Sequence, residues 1–212
     1  MEEYIDPIAL FIMLNAGHLA LYGATSAVCD HECWHKVFNT IAPDSGESPI
    51  GGWDKYLTDG NCEAKAITDR DAFIYEPFNA WSSFSANFVG NGVIATSLYV
   101  ANHHEDYMAS WHSNQMLKHP IWIFLLGSIL NLAGVGSFIY HASNTRFGEV
   151  LDHTMVSPFF GFLAIYNIMD LLLEFMNEYE HGLGDKLSPY IAWTAFTFVI
   201  GFSFYTQYNE LI

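Results

Sequence analysis

Five stretches of this sequence contain no Asp, Glu, Lys or Arg: residues 7–29, 77–104, 120–145, 154–169 and 187–209. A helix needs about 20 apolar residues to cross a hydrocarbon core. Four of the runs reach that length as they stand, and 154–169 continues through Asp170 into Leu171, Leu172 and Leu173. The runs predict an all-α integral membrane protein with about five transmembrane helices. Charged residues make up only 14% of the chain, against about 25% in soluble domains. The formal net charge of −16 excludes nucleic acid as a partner, because binding it depends on phosphate neutralisation by Lys and Arg.

The runs divide the chain into an N-terminal transmembrane helix (1–29), an acidic extramembrane segment (30–76) and a four-helix membrane bundle (77–212). The first opens Met-Glu-Glu and lacks the basic start and small-residue cleavage site of a secretory signal, so it reads as a retained span. The acidic segment holds ten acidic and four basic residues, either to dock a basic partner or to keep an exposed surface solvated. The second span carries Ser82, Ser83, Ser85, Asn87, Gly90, Asn91 and Gly92. Small and hydrogen-bonding residues of this kind join transmembrane helices, so this span is expected to face protein. Polar faces on short-looped spans in turn imply partner membrane subunits.

Two orientation signals conflict. Five spans put Lys36, Lys55, Lys65, Arg70 and Arg146 on one side and Lys118 and Lys186 on the other, which places the acidic segment in the cytoplasm. Yet Cys29, Cys33 and Cys62 all lie in or beside that segment, as in an oxidising compartment. The organelle stays open.

Chemistry gathers around Gly134-Val135-Gly136-Ser137-Phe138-Ile139-Tyr140-His141 and the following Leu151-Asp152. On a helix Ser137 and His141 share a face, and Asp152 opens the next span near the same membrane surface. Ionisable groups at membrane depth turn toward a partner or a water-filled cavity. The alternative is structural: Ser137 and His141 hydrogen-bond between helices, while Glu149 and Asp152 complement a helix N-terminus. A His-x-x-x-His at His31 and His35 can bind a metal if helical, with Cys33 or Asp30 as further ligands, or belong to a solvated helix.

The pattern Gly-x-Gly-Ser-x-x-x-His with Asp152 eleven residues on, preceded by Cys62-Glu63 and by Glu76-x-x-Asn79-x-x-Ser82, resembles the alkaline ceramidases and their wider superfamily of membrane hydrolases. The likeness covers roughly residues 62–173, about half of the chain. It implies part of a ceramidase-like bundle with an extra N-terminal span. In that family seven helices surround a zinc ion held by three histidines. By position His141 is the first zinc ligand, and Ser137 and Asp152 stand beside the metal-bound water as catalytic groups. Three protein ligands and an activated water suit amide hydrolysis. The family's other two ligands form a His-x-x-x-His on its last helix. In this sequence no histidine follows His181, and the last span has no such pair.

The family also holds a calcium ion near Cys-Glu, and the resemblance puts Glu63 and Glu76 on two of its ligand positions. Gly60, Asn61 and Lys65 replace the other expected residues, Asp59 being adjacent. An ammonium beside two carboxylates repels a cation and satisfies them itself, so Lys65 is expected to stand in for the ion at a vestigial site.

Ligand count decides the expected function. One histidine cannot hold catalytic zinc, so the leading expectation is an accessory or scaffolding subunit of a larger membrane complex, on a degenerate ceramidase-like fold without a resident cofactor. The alternative is a zinc-dependent hydrolase of a lipid amide such as ceramide, with the missing ligands supplied by a partner chain or by His31 and His35. A third reading has Trp81, Trp111 and Trp122 lining a lipid or pigment pocket.

Overall fold

A computed structural model describes residues 5–28, 77–103, 115–143, 146–179 and 182–211. Among them the regular elements are all helices: α1 (Pro7–Val28), α2 (Pro77–Ser82), α3 (Phe84–Asn102), α4 (Gln115–Lys118), α5 (Ile121–Ser143), α6 (Arg146–Tyr179) and α7 (Leu183–Leu211). Four of these, α1, α5, α6 and α7, are long and apolar enough to cross a membrane. The protein is an all-α membrane protein.

The second expected span is built from two helices. Ser83 keeps right-handed helical angles between α2 and α3, and the Ala86 N–H bonds the Ser83 carbonyl at 3.1 Å. That i to i+3 bond tightens the turn in the manner of a 3₁₀ helix. The path nevertheless runs on from Pro77 to Asn102.

Local signals set the helix ends. Asp6 caps α1, its Oδ1 accepting the Ile8 N–H at 2.9 Å, and Pro7 takes the first helical position, where a missing N–H costs nothing. The α6–α7 turn passes through Gly182 at φ +78°, a left-handed angle that glycine adopts without penalty. Pro158 lies inside α6 without ending it, as neighbouring helices permit in membrane proteins. Asp152 is not at a helix start, because α6 begins six residues earlier at Arg146; Glu149 occupies the first turn instead.

Successive long helices pack on one another: α1 on α3, α3 on α5, α5 on α6 and α6 on α7. Trp122, Leu125 and Ile129 of α5 meet Phe162 and Tyr166 of α6 and Ala192, Ala195 and Val199 of α7 in the main core. A second core joins Tyr22, Ala80, Phe138 and Ala142. It brings the C-terminal part of α1, α2 and the end of α5 to one end of the bundle, where α6 also starts. The outward surfaces of α6 and α7 carry exposed Phe160, Ile168, Leu171, Trp193, Phe198 and Phe202. Large contiguous apolar patches are unusual on soluble proteins, so this surface suits hydrocarbon.

Candidate functional site

Two glycines make the candidate site possible. A Cβ on Gly136 would stand 3.1 Å from the Leu151 carbonyl and from Met155, so glycine here lets α6 approach the end of α5. A Cβ on Gly134 would fall 2.5 Å from the Asn87 side-chain oxygen. The Gly-x-Gly of the sequence thus seats α6 on one side and α3 on the other.

This approach brings Ser137, His141 and Asp152 together. The Ser137 side chain hydrogen-bonds the Asp152 carboxyl, with the imidazoles of His141 and His153 close enough to act on its charge. Among the described residues Asp152 Oδ1 is buried without a hydrogen-bond partner. Phe138, next to Ser137, stacks on Tyr22 of α1 with ring centroids 3.9 Å apart, and Trp81 of α2 meets both edge-on. The end of α5 is therefore held on two sides by packing. His153, exposed beside Asp152, escaped the sequence reading because it belongs to no motif.

The described donors alone do not make up a zinc site. His141 has the right chemistry for a ligand, and the unpaired, buried Asp152 oxygen suits a proton-accepting neighbour. Among the described residues no three His, Cys, Asp or Glu side chains gather into a group able to hold a metal, whereas zinc takes three protein ligands. His31, His35, Glu63, Lys65 and Glu76 lie outside the described residues.

A second polar cluster, missed in the sequence, joins α1, α3 and α5. The Tyr22 hydroxyl donates to the Asn87 side-chain oxygen. Asn87 Nδ2 donates to the Asn131 carbonyl at 2.9 Å and to its Oδ1 at 3.1 Å. Asn91 Nδ2 lies 3.0 Å from Asn15 Oδ1 and 3.1 Å from His18 Nδ1. Asn87 and Asn91 are fully buried. The second span thus faces protein, as its composition implied, with α1 and α5 supplying the hydrogen bonds to Asn87 and Asn91.

A third cluster closes the opposite end. The Gln115 N–H, at the start of α4, bonds Asp170 Oδ1 at 3.1 Å. Asp185 Oδ1 accepts from Asn177 Nδ2 at 2.8 Å and lies 3.6 Å from Lys118 Nζ and 3.8 Å from His119 Nε2. Asp152 and Asp170 stand 18 residues apart on α6, which is about 27 Å of helix rise. The first and third clusters are thus separated by about one hydrocarbon thickness. Trp122 fills the core between them, its Nε1 donating to Ser188 Oγ at 2.9 Å. Trp81 packs on Tyr22 and Phe138, and Trp111 lies outside the described residues.

Compared with family models, with curated proteins and with solved structures, the chain matches none.

Proposed function

We propose that this chain carries one edge of a zinc-dependent lipid-amide hydrolase site of the ceramidase type, at one end of its membrane bundle. The observation that carries the reading is the convergence of Ser137, His141 and Asp152 from two helices, the same residues that the motif resemblance marks. In this reading His141 is one zinc ligand, and the remaining ligands come from residues outside those described, His31 and His35 or a partner chain. When bound, the metal supplies a Lewis acid and a water that ionises near neutral pH. The chain's own groups do the rest. With the metal bound, Asp152 Oδ1 would be placed to hold a proton released by the nucleophile, the Ser137 hydroxyl would orient the carboxyl, and the aromatic packing of Phe138 against Tyr22 and Trp81 fixes the end of α5.

A second reading, an accessory subunit of a membrane complex on a degenerate bundle, draws on the donor count, since the described residues bring too few ligands to His141 to hold zinc unaided. One experiment separates the two. The full chain is purified with and without its native partners, analysed for zinc, and assayed for fatty-acid release from ceramide. Stoichiometric zinc and hydrolysis, both lost in His141→Ala, support the hydrolase. A chain free of zinc and inert in both preparations supports the accessory role.

A further inference from the structure

We draw no further inference here: the strongest candidate, the buried side-chain amide of Gln115 in the polar cluster between α4 and the α6–α7 turn, has no hydrogen-bond partner for its oxygen among the described residues, but the adjoining residues 104–114 lie outside them and nothing in the structure shows what that oxygen meets.

Discussion

The hydroxyl of Tyr22 and the side-chain oxygen of Asn87, sixty-five residues apart in sequence, are hydrogen-bonded inside the bundle. The bond ties the N-terminal helix to a residue that also grips Asn131 of α5, so three helices share one amide.

Tyr22→Phe removes that bond while keeping the ring on Phe138. Interhelical hydrogen bonds in membranes average about 0.6 kcal/mol and reach about 1.7 kcal/mol, so a loss in that range is expected. Asn87→Leu should cost more, because it also strands Asn131. A double-mutant cycle on unfolding in mixed micelles should show coupling between positions 22 and 87, and strict additivity would contradict the shared bond.

Gly134→Ala drives a methyl into the Asn87 amide. Overpacking of this kind costs about 1–3 kcal/mol. Gly201→Ala, where a Cβ meets nothing within 4 Å, should be neutral or slightly stabilising. Thermal unfolding of the two variants side by side checks the contrast, and equal midpoints would remove the packing argument for the Gly-x-Gly motif.

Asp152→Asn keeps the shape of the candidate site and removes its proton acceptor. If the chain hydrolyses lipid amides, the rate should fall about 10²-fold or more, with zinc content and unfolding midpoint little changed. Ser137→Ala should lower it less, since Ser137 acts through the carboxyl. A rate unchanged in Asp152→Asn would remove Asp152 from the chemistry.

At the opposite end, Asp185→Ala removes the common acceptor of Asn177, Lys118 and His119. The α6–α7 turn should then become more sensitive to limited proteolysis. Asp185→Asn keeps a partner for Asn177 while losing the charge, so an intermediate sensitivity is expected. Cleavage equal to that of the unchanged chain in both variants would show that the cluster does not hold the turn.

The sequence disclosed what lies within one helix and hid what lies between helices. Uncharged run lengths give the four helices long and apolar enough to cross a membrane, the remaining run, 77–104, being split into two helices, and the i, i+4 spacing of Ser137 and His141 gives their common face. Polar composition turns the second span toward protein. The partners of Asn87 and Asn91 were not legible, because Tyr22, Asn15 and Asn131 come from other helices and periodicity carries no register between helices. For the same reason the Asp170 side chain, one charge inside an apolar run, gave no sign that it meets the Gln115 N–H. The break at Ser83 was hidden too: the hydroxyl-rich stretch 82–85 signals a polar face as readily as a tightened turn.

Asp152 and Asp170 also lock α6 lengthwise. About 27 Å of helix rise separates them, and each carboxyl takes a hydrogen bond from another part of the chain, Asp152 from Ser137 and Asp170 from the Gln115 N–H. Sliding α6 by one turn along its neighbours would strand both groups at once, so two acidic side chains near opposite ends of an otherwise greasy helix hold it in a single vertical position.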